Sequence, residues 1–102
     1  MLFTQLLKNV QVQTSHGSLA VEVGQIRFDS RAVQPGDVFV AVRGAQVDGH
    51  QFIDKAMAQG AAVIVCEQDL QFLTSLNVAG IQVADSAEVL GIMASNYFGN
   101  PS

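Results

Sequence analysis

The 102-residue sequence has one cysteine, no tryptophan and only two prolines, and its charged residues are few and mostly acidic. The single cysteine, Cys66, excludes a disulfide within the chain, and its place in an apolar run favours a small buried side chain. A reducing cytoplasm fits this usage, so we expect a cytoplasmic protein. Five basic residues against nine acidic ones give a net charge of −4 without a basic cluster, which argues against nucleic acid as a partner.

Long hydrophobic runs and the usual catalytic spacings are also missing. No stretch approaches the roughly 18 consecutive apolar residues that cross a membrane, so we expect no membrane partner. The two histidines and the cysteine show no spacing typical of a metal site, and no nucleophile motif is present, so we predict no metal and no catalytic residue here. No glycine precedes a lysine, which excludes the phosphate-binding loop of ATPases.

The composition that remains is typical of one globular domain, with 49% hydrophobic residues against 14% charged. Predicted strands cover 10–13, 19–23, 25–28, 37–42, 61–66 and 80–83, and predicted helices cover 2–8, 50–59, 69–76 and the segment between Asp85 and Gly99. The first two strands alternate apolar and polar residues, as an exposed hairpin would. We therefore predict an α/β fold with a mixed, largely parallel sheet of about five strands and flanking helices.

Turn and capping residues mark the ends of the central elements. Pro35 and Gly36 suit the second and third positions of a type II turn that leads into the central strand. Asp48 is a typical N-cap for the helix that follows, and Gln51 is placed to be its partner in a capping box. His50 falls in the first helical turn, where we expect a surface residue and not a catalytic base.

Polar residues that follow strand 25–28 form the first part of a candidate site. Ser30 lies where the carboxyl ends of parallel strands open onto a ligand-binding crevice, and its hydroxyl can both donate and accept. The commoner alternative is that Asp29 and Ser30 only cap a turn. Arg31 could pair with a phosphate or equally with a nearby aspartate.

The second part of the site is the loop from Gly44 to Gly49. Its glycines allow a close approach of backbone to ligand, and it ends at a helix N-terminus whose N–H groups suit a phosphate or a planar polar group. Asp48 already caps that helix with a negative charge, so an ordinary strand-to-helix connection is an equal alternative. We expect the loop to be mobile without ligand, because its backbone groups have no strand partner.

Several short motifs occur together in an order that resembles one enzyme family. They are Asp29-Ser30-Arg31, Pro35-Gly36-Asp37, Phe39-Val40-Ala41, Asp48-Gly49-His50-Gln51-Phe52-Ile53, Gly60-Ala61-Ala62 and Tyr97-Phe98-Gly99-Asn100-Pro101-Ser102. Each motif alone is weak evidence for a family, but the combination covers nearly the whole chain and resembles the N-terminal domain of the Mur ligases. The ending resembles the MurE branch, the UDP-N-acetylmuramoyl-L-alanyl-D-glutamate:diamino-acid ligases, more than the MurF branch.

The resemblance implies a ligase of three domains, in which residues 1–102 form the N-terminal domain that binds the UDP moiety. The central ATPase and the C-terminal domain would lie outside this chain. The implied uridine contacts are Phe28 and Ser30 in the first loop and Ala45, Gln46 and Val47 in the second, with Asp29, Arg31 and Asp48 as possible supporting residues. Ala45 departs from the polar residue often found there, which leaves backbone groups to bond the uracil.

The function implied by the resemblance is to anchor the UDP end of UDP-MurNAc-L-Ala-D-Glu for an ATP-dependent ligase of peptidoglycan precursor synthesis. The enzyme would add meso-diaminopimelate or L-lysine, a choice that belongs to residues beyond Ser102. ATP and Mg²⁺ would serve the full-length enzyme, whereas this chain alone is expected to hold no cofactor and to be inactive. The alternatives are the N-terminal domain of MurF and a non-catalytic interaction module whose loops are purely structural.

Overall fold

The computed structural model describes residues 1–44, 47–73 and 78–99. Within them the strands are β1 (Thr14–His16), β2 (Ile26–Arg27), β3 (Val38–Val40), β4 (Val63–Cys66) and β5 (Ala79–Gln82), and the α-helices are α1 (Ile53–Ala58) and α2 (Ser86–Tyr97). Short 3₁₀ helices cover Phe3–Leu7, Ser30–Ala32, Gly49–Phe52 and Leu70–Leu73. The prediction of an α/β fold with a mixed, largely parallel sheet of five strands is confirmed.

The strands form one sheet in the order β1-β5-β4-β3-β2, in which β1 alone of these strands runs antiparallel to its neighbour. Every residue of β3 and β4 is buried, and in their register Phe39 lies opposite Ile64. Strands covered on both faces consist of continuous apolar residues, whereas the edge strand β1 consists of Thr14, Ser15 and His16 and is largely exposed. The apolar runs of the sequence therefore identify the centre of the sheet.

Apolar side chains on the two faces of the sheet form separate clusters. The first joins the N-terminal 3₁₀ helix and α2 to the sheet, with Leu6 and Met93 fully buried in it. The second joins α1 and the 3₁₀ helix Leu70–Leu73 to the other face, around Phe39 and Ile53. Successive residues of a strand point to opposite faces, so β3 and β4 contribute to both clusters. The fold thus has three layers, with the sheet in the middle.

A turn at the amino end of β3 is built around one buried carboxylate. Gly36 has a φ of 90°, and the Asp37 amide donates to the Gln34 carbonyl at 3.0 Å, so the predicted type II turn is confirmed. The Asp37 carboxylate accepts from the Gln25 and Gln34 amides, both at 2.9 Å, and from Arg27 Nε at 3.1 Å. Burial opposes the ionisation of Asp37, but these donors outweigh it and lower its pKa.

The predicted exposed hairpin over 10–13 and 19–23 is wrong. The strand β1 lies at 14–16 and pairs with β5, while the segment 19–23 contacts the N-terminus of the chain. Its hydrogen bonds join the Phe3 amide to Val21 and the Val23 amide to Met1, at 2.8 and 2.9 Å. An alternating pattern indicates a half-buried segment but does not identify its partner, and here the burial of Phe3 decides the pairing.

The predicted helices are present but shorter, and several are of the 3₁₀ type. The segment 50–59 is a 3₁₀ turn followed by α1, and of 69–76 only Leu70–Leu73 is helical among the described residues. The helix α2 begins after Asp85, whose carboxylate accepts from the Glu88 amide at 3.1 Å. Among the residues with described positions, no helix is long and apolar enough to span a membrane.

Candidate functional site

An open cleft of about 580 Å³ lies where β2 and β3 end. One wall is the segment 28–31, which directly follows β2, and the other consists of residues 42–44 and 47–49, which follow β3. Phe52 and Lys55 complete the lining. Parallel strands bring their carboxyl ends to one edge of a sheet, so two loops that are distant in sequence meet here. Both loops singled out in the sequence thus line one cleft.

The first wall combines an exposed aromatic ring with a buried serine. Phe28 is 65% exposed although it is a large apolar residue. Ser30 is only 5% exposed and begins a 3₁₀ turn, and its carbonyl accepts a hydrogen bond from Gln59 Nε2. Within the described residues the Ser30 hydroxyl has no hydrogen-bond partner. An exposed ring beside an unpaired hydroxyl suits a planar ligand with polar edges.

Asp29 and Arg31 form an ion pair at the rim of this wall. Arg31 Nε and Nη2 lie 3.1 and 2.9 Å from the two carboxylate oxygens of Asp29, and the Arg31 amide donates to Asp29 Oδ1 at 2.9 Å. These hydrogen bonds lower the pKa of Asp29 to about 2. Asp29 therefore caps the turn, as the commoner interpretation of the sequence has it, and it also neutralises the charge of Arg31.

The second wall is a tight hairpin whose ends are held by backbone hydrogen bonds. The Gly44 amide donates to the Val47 carbonyl and the Gly49 amide to the Val42 carbonyl, both at 2.8 Å. Residues 43 and 48 form an antiparallel bridge. The expectation that this loop has no backbone partners is therefore wrong for its two ends. A Cβ on Gly49 would lie 2.8 Å from the backbone of Val42, so this close approach requires glycine.

The remaining predicted uridine contacts are Ala45, Gln46 and Val47. Val47 lines the cleft and is 51% exposed. Ala45 and Gln46 lie outside the described residues, so their predicted role stays a prediction. The described part of the second wall offers an apolar side chain and backbone groups to a ligand.

The cleft carries one basic side chain that is not paired with a carboxylate in the described part of the chain. Arg27, Arg31 and Arg43 all form ion pairs with aspartates or glutamates. Lys55, on α1, lines the cleft and forms no ion pair among the residues described, although its charge helps to lower the pKa of Asp29 in the same cleft. An unpaired cation favours an anionic group on this side of the cleft.

A polar network that was not predicted from the sequence lies behind the second wall. Asp48 Oδ1 accepts from the His50 amide at 2.9 Å and lies 2.7 Å from His50 Nδ1. His50 Nε2 accepts from the Glu67 amide at 2.9 Å, and Glu67 Oε2 accepts from the Ser86 amide at 2.7 Å. Ser86 Oγ donates to the Ala41 carbonyl at 2.6 Å. The network joins the chain segments that follow β3, β4 and β5.

Asp48 is an N-cap as predicted, but its carboxylate bonds to the amide of His50 and not to that of Gln51. The backbone and ring hydrogen bonds of His50 hold the pKa of Asp48 below its usual value. The expectation of a surface histidine is wrong, because the His50 side chain is only 9% exposed. The sequence around His50 gives no indication that its ring contacts the distant amide of Glu67.

The described residues of the cleft offer a ligand an aromatic ring, a hydroxyl, backbone groups and a lysine. The hydroxyl of Ser30 has no base beside it among the described residues, and His50 Nε2 already accepts a backbone N–H. Cys66 is buried, and burial raises the pKa of its thiol, which disfavours the reactive thiolate. The part of the chain that the structure describes contains no group of three or more metal-ligating side chains.

Comparisons with known proteins point to one family. The family model described as "Mur ligase family, catalytic domain" matches residues 22–98. The UDP-N-acetylmuramoyl-L-alanyl-D-glutamate--2,6-diaminopimelate ligase of Cytophaga hutchinsonii is 41% identical over 100% of this chain and 21% of its own length. The ligase of the same name from Clostridium perfringens is 39% identical over 99% of this chain and 20% of its own length.

Solved structures of MurF have a similar fold. MurF from Acinetobacter baumannii superposes with a TM-score of 0.76 at 28% identity, over 92% of this chain and 20% of that chain. The MurF ligase from Thermotoga maritima in complex with ADP gives a TM-score of 0.61 at 37% identity, over 74% of this chain and 17% of that chain. This chain spans about a fifth of the length of the curated relatives that it matches.

Proposed function

Because this chain belongs to the Mur ligase family, we propose that its cleft binds the uridine diphosphate end of a UDP-linked muramoyl peptide. The whole protein would then be an ATP-dependent ligase of the kind named for its curated relatives, which joins a diamino acid to UDP-MurNAc-L-Ala-D-Glu. This step belongs to the synthesis of peptidoglycan precursors, which we place in the cytoplasm. In this account the chain anchors the substrate, and the new bond is made by residues elsewhere in the enzyme.

The observation that carries the proposal is the combination of Phe28 and Ser30 on one wall of the cleft. An exposed aromatic ring provides a surface on which a nucleobase can stack, an interaction of about 1–3 kcal/mol per base. The neighbouring hydroxyl, which has no partner among the described residues, can bond a polar edge of the uracil. Val47 and the backbone of the second wall would enclose the base from the other side.

The charge distribution supports a diphosphate beside the nucleoside. Arg31 is neutralised by its bidentate pairing with Asp29, so it is a poor candidate for the phosphates. Lys55 lines the same cleft and forms no ion pair in the described chain, and Asp29, whose pKa its charge helps to lower, is already paired with Arg31. We therefore assign the phosphate-facing charge to Lys55 and a supporting role to the Asp29–Arg31 pair.

ATP does not fit this part of the enzyme. The phosphate-binding loop of ATPases needs a Gly-Lys-Ser/Thr sequence, and no glycine of this chain precedes a lysine. The only lysine at the cleft lies on α1 and not in a glycine-rich loop. ATP and Mg²⁺ would therefore act in another part of the ligase, and no step of the ligation is assigned to residues of this chain.

Two alternatives remain distinct from this proposal. The N-terminal domain of MurF has a similar fold, but the two MurF structures are 28% identical over 92% of this chain and 37% identical over 74% of it, against 41% and 39% over 100% and 99% for the curated diaminopimelate ligases. Sequence identity thus favours the MurE branch. An interaction module with purely structural loops would leave no ligand for the exposed Phe28 or for the Ser30 hydroxyl, which has no partner within residues 1–44, 47–73 and 78–99.

Nucleotide binding to the 102-residue chain tests the proposal. We expect UDP to bind with a Kd on the order of 1 mM or weaker, because two loops bury little ligand surface against the entropy cost of association. ADP should bind more weakly than UDP, and the chain should show no ATP turnover with any UDP-muramoyl peptide. Equal binding of ADP and UDP, or no saturable binding of UDP, would contradict the proposal. Nanomolar UDP binding would contradict it as well, since the domain would then be a self-sufficient nucleotide receptor.

A further inference from the structure

We propose that His50 is the positioning residue of the second cleft wall, and that it acts as a neutral imidazole with its proton on Nδ1. The inference rests on the proposed function, because the residues that His50 holds, 42–44 and 47–49, form a wall of the proposed nucleotide cleft. His50 does not line the cleft. It therefore acts on a ligand only through the backbone of this segment.

The two ring contacts define the tautomer. The Glu67 amide donates to His50 Nε2 at 2.9 Å, so Nε2 must carry a lone pair and no proton. The ring proton of the neutral imidazole then lies on Nδ1, which is 2.7 Å from Asp48 Oδ1. A proton on Nε2, in the other tautomer or in the imidazolium, would direct two N–H groups at each other and break the bond to Glu67.

Glu67 connects this histidine to the rest of the fold. It directly follows β4, and its carboxylate accepts from the Ser86 amide at the start of α2. The same carboxylate lies 3.4 Å from Arg43 Nε, while Arg43 Nε lies 3.9 Å from Asp48 Oδ2. Arg43 and Asp48 are also the two residues of the bridge that closes the hairpin. Both ends of the wall are thus fixed to Glu67, one directly and the other through His50.

Three variants test this role. His50→Ala removes both ring contacts, whereas His50→Gln keeps a side-chain carbonyl able to accept from the Glu67 amide. His16→Ala is the matched control, because His16 lies on the edge strand β1 and does not line the cleft. Each variant is measured for its UDP affinity and for hydrogen exchange at the amides of Gly44 and Gly49, which close the hairpin.

We expect His50→Ala to weaken UDP binding about tenfold and to speed exchange at these two amides, because the loss of two partly buried hydrogen bonds loosens the wall. His50→Gln should stay within about threefold of the unmodified chain, and His16→Ala should match it. In the unmodified chain, ¹⁵N shifts of the ring at about pH 7.5 should report a protonated Nδ1 and an unprotonated Nε2.

A proton on Nε2 at that pH overturns the inference even if His50→Ala fails to fold. Unchanged UDP affinity in a folded His50→Ala variant also overturns the inference. So does a His50→Gln variant whose UDP affinity and amide exchange match those of His50→Ala. If UDP binds to no variant and not to the unmodified chain, the proposed function fails. The exchange rates of Gly44 and Gly49 then still decide whether His50 holds the hairpin, since they need no ligand.

Discussion

Asp37 and Asp29 lie at opposite ends of the β2–β3 pair, and each bonds to an arginine. Asp37, at the amino end of β3, has a 6% exposed side chain and bonds to amides and an arginine that are up to 12 residues away. Asp29, just after β2, is 42% exposed, and among the described residues it bonds only to Arg31, two residues on. Distant partners make Asp37 a fixed part of the fold. Local pairing at Asp29 leaves the neighbouring Ser30 hydroxyl available to a ligand.

The largest difference should appear in stability. Asp37→Ala leaves buried N–H groups and Arg27 without their acceptor, and we expect it to lower the free energy of unfolding by about 2–5 kcal/mol. Urea denaturation followed by circular dichroism measures the change. Asp29→Ala should leave the denaturation midpoint almost unchanged, because its ion pair is exposed. A midpoint that shifts equally in the two variants would contradict the comparison.

The pH dependence of stability should also differ between Asp37 and Asp29. The pKa of Asp37 is lowered from its ordinary value of 3.8, so its ionised form stabilises the fold. That contribution is fully present above 3.8 and is lost as the pH falls through the lower pKa of the folded protein. The measurement is made in about 1 M salt, which screens the exposed Asp29–Arg31 pair. Under this condition the free energy of unfolding of Asp37→Asn should fall less on acidification than that of the unmodified chain, whereas Asp29→Asn should fall as much as the unmodified chain. Identical acid limbs would contradict this assignment.

Removal of the exposed ring should have the largest effect on ligand binding. Phe28→Ala deletes the proposed stacking surface, and we expect the Kd for UDP to rise about tenfold while stability stays within error of the unmodified chain. Phe98→Ala is the control for loss of a second exposed ring, since Phe98 is 80% exposed and does not line the cleft, although it borders the adjoining groove that Phe28 also lines. Calorimetry or NMR titration measures both variants. Equal losses of affinity would mean that the cleft is not the site.

The Ser30 hydroxyl should contribute less than the ring. Ser30→Ala removes one neutral hydrogen bond to the uracil, worth about 0.5–1.5 kcal/mol, so the Kd for UDP should rise roughly threefold to tenfold. In the full-length enzyme the KM for the UDP substrate should rise while the KM for ATP stays nearly constant. A parallel rise in both values would indicate a folding defect instead.

The smallest predicted effect concerns charge. Lys55→Gln should weaken UDP binding about twofold to fivefold and leave uridine binding unchanged, because an exposed lysine contributes modestly to an anionic ligand. Lys8→Gln is the control with the same change of charge away from the cleft. The ratio of the uridine and UDP dissociation constants is the measured quantity. An equal loss for uridine would place Lys55 outside the phosphate side of the site.

The sequence was most informative where local chemistry decides the structure. Continuous apolar residues predicted β3 and β4, and Pro35-Gly36 predicted the turn that precedes β3. Phe28 and Ser30 were placed at a strand end, where the cleft is found. These features depend on residues that are close together in the chain, so a pattern of a few residues contains the necessary information.

Pairings between distant residues could not be predicted from local patterns. The segment 19–23 alternates like a hairpin strand, but its neighbour is the N-terminus and not the segment 10–13. His50 was expected at the surface, yet its ring is buried against the amide of Glu67, 17 residues away. A periodic pattern indicates which face of an element is buried, and only the packed fold determines what covers that face.

The position of UDP on the chain decides whether the cleft is its binding site. Backbone amide shifts are followed by NMR as UDP is added to the 102-residue chain, with His16 and β1 as an internal reference at the opposite edge of the sheet. We expect saturable shifts confined to the two cleft walls, 28–31 and 42–49, and to Lys55 on α1. Saturable shifts centred on another surface, with the two walls unaffected, would contradict it.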